Sequence, residues 1–319
     1  MLSLKNQFVL KVVASILIIG AFLIYLLSSF GTIIGYQMLF YYEGYFNILG
    51  LLSIILAVSS MAMLYFKKQS LIDLALFLGI MSLVLLLIIP SSLMHVIDGD
   101  VNNPPLGVGY YLALSFYLLA LLLVANVALN LKRFTIKDIS ELAILVALAV
   151  ILDFVKIRLL PNGGSISLEM LPLFLIALRH SFIKTFIACG LIYGFISSSI
   201  SGYGLAYYPF DYLLAFGAIA VLSLFRHLVS RNNRGTYRLS SMCWLALGVI
   251  LAVLLRFIAA TISGMIYWET GFIDSMLYNT PSLASGALCV VVLLVAFPLL
   301  IKINRRFKSD DLVTLENKN

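Results

Sequence analysis

Asp211 opens an apolar run from residue 211 to 230, and a carboxylate at the edge of such a run needs a positive or hydrogen-bonding partner to offset its desolvation. The nearest basic residue along the chain is Arg226, a full span away, so the partner must come from another segment. Tyr203, Tyr207, Tyr208, Tyr212 and Tyr267 can share a wall with this carboxylate. Two plainer roles compete: Asp caps helix N-termini, and tyrosines gather at membrane interfaces. A second set of charges lies inside apolar runs. Asp153 and Lys156 are three apart and pair on one helical face, while Arg158 can snorkel to a boundary. Arg256 lies about 15 Å inside its helix at 1.5 Å per residue and requires a carboxylate or carbonyl; Asp153 is the candidate at similar depth.

The segments that must hold these residues are membrane helices. With 62% hydrophobic and 11% charged residues and a mean hydropathy of +1.09, the chain cannot present a soluble surface. The fold class expected is an all-α polytopic cell-membrane protein with about ten transmembrane helices, four before residue 130 and six after it. The runs at 169 to 182 and 184 to 199 are short, and are read either as two tilted spans or as one re-entrant segment. The first run keeps Lys11 and lacks a small-residue cleavage site, which reads as a retained span. Of the 21 Lys and Arg, all but Lys156, Arg158 and Arg256 fall on one side of the ten-span arrangement, which places both termini in the cytoplasm. The net charge of +7 reflects that sidedness and lipid contact, not nucleic-acid binding. Cys189, Cys243 and Cys289 lie in apolar runs, where buried thiols are expected rather than disulfides.

Composition divides the chain into four parts: a four-span module at 1 to 130 with no recognisable chemistry, a basic amphipathic linker at 131 to 140, a six-helix domain at 141 to 303 and a tail at 304 to 319. The fifth run carries Ala143 and Ala147 four apart, a small-residue face that lets another helix approach closely. After it comes Pro161-Asn-Gly-Gly-Ser-Ile-Ser-Leu-Glu169-Met-Leu-Pro172, then Leu-Phe-Leu-Ile-Ala-Leu-Arg179-His180. Gly163 and Gly164 suit a tight turn, and Ser165 or Ser167 could cap the next helix.

This stretch resembles the first loop and second helix of the thiamine-specific S-components of energy-coupling factor (ECF) transporters, the ThiT family. Tyr193-Gly194, Asp211-Tyr212-Leu-Leu-Ala-Phe216, Arg256-Phe257, Tyr267-Trp268 and Tyr278-Asn279 follow in the family's order over residues 141 to 303. The resemblance implies a six-helix binding protein with an outer-facing pocket and no cofactor, metal or catalytic activity. It implies docking through Ala143 and Ala147 onto a transmembrane scaffold driven by two cytoplasmic ATPases. The ligand set it implies is Asp211, Tyr212, Trp268 and Asn279, with Asp274, Tyr203 and Glu169 added. Two positions depart from the family's pattern: Ala260 stands where it has a histidine, and Asp274 where it has a tyrosine. Thiamine is a flat cation with an aminopyrimidine, so an indole face, carboxylates and an amide are apt partners.

A membrane enzyme and a self-sufficient secondary transporter are the rival readings. His95, His180 and His227 have no metal-ligand spacing, which weighs against the enzyme, and only Asp153 and Arg256 hint at an intramembrane relay. The chain has no Gly-x-x-x-x-Gly-Lys-[Ser/Thr] motif, so ATP hydrolysis by a P-loop must come from other subunits.

Overall fold

The computed structural model describes residues 4 to 29, 44 to 66, 69 to 96, 108 to 131, 133 to 158, 165 to 202, 207 to 231, 239 to 268 and 271 to 306. The chain separates into two compact units, Met1–Arg133 and Phe134–Asn319. The first unit holds α1 (Leu4–Ser29), α2 (Gly44–Leu64), α3 (Gln69–Val96) and α4 (Val108–Leu131), with α1 packed on α4 and α2 on α3. Serines join the second pair: Ser53 Oγ donates to the Ser82 carbonyl at 2.9 Å, and Ser82 Oγ donates back to the Ser53 carbonyl at 2.8 Å. Such bonds let apolar helices associate where water exclusion supplies no driving force.

The second unit begins with α5 (Ile136–Phe154), whose start is written in Thr135-Ile-Lys-Asp138. Thr135 Oγ1 accepts from the Asp138 N–H, and the Asp138 carboxylate accepts from the Thr135 N–H, a capping box that satisfies two orphan donors. Residues 136 to 140, expected as part of a linker, are therefore the first turn of α5. A short antiparallel ribbon follows, β1 (Lys156–Arg158) against β2 (Ser165–Ser167), in the register Lys156 to Ser167, Ile157 to Ile166 and Arg158 to Ser165. Neither serine caps the next helix, because both are committed to the ribbon. The Ser167 N–H donates to Ser285 Oγ at 3.1 Å.

The helix after the ribbon, α6 (Met170–Arg179), has ten residues and rises only about 15 Å, too short to cross a bilayer. It ends where His180 and Ser181 turn to extended backbone, and the chain reverses into α7 (Phe182–Ser201). Then come α8 (Tyr208–Val229), α9 (Leu239–Tyr267) and α10 (Phe272–Arg306). The last begins at Phe272, so Asn279 and Pro281 lie inside a helix. Among the described residues, six helices are long and apolar enough to cross a membrane: α1, α4, α7, α8, α9 and α10. Cys189 and Cys289 are buried as expected, but Cys243 is exposed on the flank of α9.

Helices α7 and α8 cross through glycines. Each contains a π-helical stretch, Ile187–Tyr193 in α7 and Tyr208–Leu214 in α8. A Cβ on Gly190 would stand 2.8 Å from the Leu213 carbonyl oxygen, so only glycine allows this approach. Tyr208 Oη donates to the carbonyls of Gly190 and Leu191, each at 3.2 Å, and so ties the start of α8 to the π-helical stretch of α7.

Candidate ligand-binding site

One group of buried charges in the second unit gathers around Glu169. Arg256 Nη2 donates to Glu169 Oε1 at 2.7 Å, and Tyr193 Oη donates to Glu169 Oε2 at 3.1 Å. Asp153 lies beside Glu169 and takes a bond from Lys156 Nζ at 3.3 Å, the pairing expected from their spacing. The expected partner of Arg256 was Asp153; the structure places Glu169 there instead. The cause is the short α6, whose N-terminus starts at the depth of Arg256, about three turns below the end of α9. The Arg256 guanidinium lies 4.3 Å from the Phe216 ring centroid, and Tyr193 meets that ring edge-on at 4.7 Å.

Asp211 does not cap its helix. The residue at the N-cap is Tyr207, whose carbonyl accepts the Asp211 N–H at 3.1 Å, and Asp211 lies in the first turn. Its carboxylate stands opposite the Ser263 hydroxyl and within electrostatic reach of Arg256 and Tyr267. An aromatic group adjoins it. Tyr207 stacks on Trp268 with centroids 5.1 Å apart and planes 23° off parallel, and meets Tyr267 edge-on, also at 5.1 Å. Phe210 also meets Tyr267 edge-on, with centroids 6.1 Å apart. A carboxylate beside a wall of π faces is the arrangement that holds a flat cation.

The remaining expected ligand residues are placed differently. Tyr212, the next residue along the π-helical stretch, shares a 2.6 Å hydrogen bond with Ser201 Oγ. Asn279 directs its Nδ2 back to the Ser275 carbonyl at 2.9 Å, one turn earlier in α10. Asp274 is exposed in the first turn of α10, and Glu169 belongs to the buried network rather than to the aromatic wall. Tyr203 lies outside the described residues. Tyr207 and Tyr267, two of the tyrosines expected to share a wall with Asp211, are in this aromatic group. Ser263 and Tyr193 had no assigned role; the local signal beside Tyr193 is Gly190-x-x-x-Gly194, which announces the close helix crossing. Among the described residues no cluster of His, Cys, Asp and Glu suits a metal ion.

A second polar cluster closes the opposite end of α5. Lys184 Nζ donates to Asp138 Oδ2 at 2.7 Å, and both side chains are 1% exposed. Arg179 makes a two-pronged contact with Glu141, while His180 stands 3.6 Å from both Asp138 Oδ1 and Glu141 Oε1. Burial alone would raise the Glu141 carboxyl, but hydrogen bonds and charge from His180 and Arg179 outweigh it and bring it down to about 2. Asp138 is likewise held below its usual range, against its burial, chiefly by Lys184 and Thr135. Beyond this cluster Ala143 and Ala147 lie exposed on one face of α5.

These helices define a multi-pass protein of the cell membrane. Over residues 139 to 307, more than half of its length, the chain matches the family described as thiamine transporter protein, and it belongs to that family. The thiamine transporter ThiT of Bacillus subtilis is 33% identical over 171 residues, covering 49% of this chain and 88% of that relative. A solved structure of ThiT from Listeria monocytogenes is 26% identical and covers 51% of this chain and 96% of its own, with a TM-score of 0.44. Family membership makes the chain a transporter and not an enzyme.

Proposed function

We propose that residues 141 to 303 capture thiamine, or a closely related cationic heterocycle, as the substrate-binding component of an ECF-type importer. The observation that carries this reading is Asp211 beside the Tyr207, Tyr267 and Trp268 rings in a chain of this family. The carboxylate neutralises the thiazolium, and the Trp268 and Tyr267 rings supply stacking and cation–π attraction. Asn279, Asp274, Tyr212 and Tyr203 complete the proposed ligand set, and Glu169 holds Arg256. The exposed Ala143 and Ala147 are the proposed contact for a membrane scaffold protein bearing two ATPase subunits.

Calorimetry of the purified full chain with thiamine tests the ligand, and copurification of a scaffold and two ATPases tests the assembly. The buried Glu169 and Arg256 pair favours one other reading, a secondary transporter that needs no ATPase. Vesicles containing this chain alone separate the two. Thiamine accumulation driven by an ion gradient without ATP would establish the secondary transporter and remove the ECF assignment.

A further inference from the structure

The stack of Tyr207 on Trp268 bears on how a ring could reach the indole. Their centroids are 5.1 Å apart, whereas a flat ligand between them would hold them about 7 Å apart, since each aromatic contact needs about 3.5 Å. The pair as it stands admits no third ring. Tyr207 comes from the start of α8, one turn before Asp211, and also touches Tyr267, which lies in the field of the Asp211 carboxylate. Tyr207 thus covers one face of the indole while touching Tyr267, the ring in the field of Asp211. A flat ligand stacked on that face beside Tyr267 and Asp211 would need the place Tyr207 holds.

We infer that Tyr207 is an internal occupant of the ligand's stacking position: its ring covers one face of Trp268 beside Tyr267 and is displaced by the incoming flat cation. This rests on the proposed thiamine-binding reading. Displacement exchanges one aromatic stack for another of similar strength, so the indole contact alone contributes little net affinity, and the gain comes from the positive charge meeting the indole and Asp211. Tyr207 thereby sets a threshold that every ring must overcome, and a ring without charge gains nothing in overcoming it.

The test uses the full chain with Trp244→Phe, which leaves Trp268 as the sole tryptophan of the two in the sequence. Trp244 packs on Phe225 and has no part in the proposed site. Without ligand, adding Tyr207→Ala should increase acrylamide quenching of Trp268, and Tyr207→Phe, which keeps the ring, should not. In thiamine titrations Tyr207→Ala should tighten binding about threefold to tenfold, the size of one lost aromatic pair, with faster association, while Tyr207→Phe matches the parent. Weaker binding by Tyr207→Ala would overturn the proposal and make Tyr207 a second wall of a sandwich. Unchanged quenching in the ligand-free Tyr207→Ala protein would overturn it too, because the ring would not be covering the indole. If the folded parent binds no thiamine, the functional reading fails and the displacement step falls with it, while the ligand-free quenching still decides whether Tyr207 covers Trp268.

Discussion

Glu169 and Arg256 are 87 residues apart in the chain and 2.7 Å apart in the fold, both largely removed from solvent. Each side chain is the reason the other can be buried. A charge in this position without its partner costs several kcal/mol, and the paired state returns most of that through the ion pair and the added bond from Tyr193.

Breaking that pair one side at a time should therefore be expensive. Glu169→Gln is expected to destabilise the second unit by about 3 to 5 kcal/mol, because Arg256 is left uncompensated. Combining it with Arg256→Met should recover most of the loss. Thermal melts of the detergent-purified protein measure this; a double variant no more stable than Glu169→Gln would show that the arginine is not the source of the cost.

Charge at Asp211 should matter for a cationic ligand and not for a neutral one. Asp211→Asn is expected to weaken thiamine binding by about 2 to 5 kcal/mol, the cost of losing a partly desolvated charge partner, and to leave an uncharged isostere almost unaffected. Trp268→Ala should cost about 1 kcal/mol, since the indole is half exposed and its stack on Tyr207 is lost as well. Calorimetry with both ligands checks the pair of variants. Equal affinity of parent and Asp211→Asn for thiamine would remove Asp211 from the site.

The alanine face of α5 makes a separate prediction. Ala143→Leu or Ala147→Leu adds bulk on an exposed helix surface and should not disturb the fold or thiamine affinity. Either change should abolish most association with a scaffold protein by preventing close helix approach. Undiminished copurification would move the docking surface elsewhere.

Acid should loosen the cluster at the start of α5. The folded Glu141 carboxyl, at about 2, lies below its ordinary value of 4.5, so its contribution to stability is present above about pH 4.5 and is lost as pH falls toward 2. Asp138 is shifted in the same direction and adds to the same acid limb. Glu141→Gln should lower the melting temperature near neutral pH and flatten its fall on acidification. Parallel melting curves for parent and variant between pH 5 and 3 would contradict the linkage.

Local pattern carried some of this structure. Thr135 and Asp138 have the spacing of a capping box, Asp153 and Lys156 that of a helical ion pair, and each interaction forms within one turn. Asp211 stood out because a carboxylate in apolar sequence needs a partner, a requirement visible without coordinates. The ordered motifs over residues 141 to 303 pointed to the family that the comparison over 139 to 307 then established. Other features depend on distant residues: α10 begins at Phe272, where Ser275 Oγ donates to the Thr261 carbonyl at 2.7 Å and ties this turn to α9.

The sequence by itself determined that the chain is a helical membrane protein of this transporter family, since hydrophobic runs and short motifs are properties of consecutive residues. Only the tertiary structure decided which charge meets which. Glu169 reaches Arg256 because α6 is short and begins deep. Tyr212 turns toward Ser201 while Tyr207 reaches Trp268, because a π-helical stretch and a glycine crossing set the rotation of α8 against α7. Depth and rotation of one helix against another arise from packing among distant segments, and periodicity along a single run does not encode them.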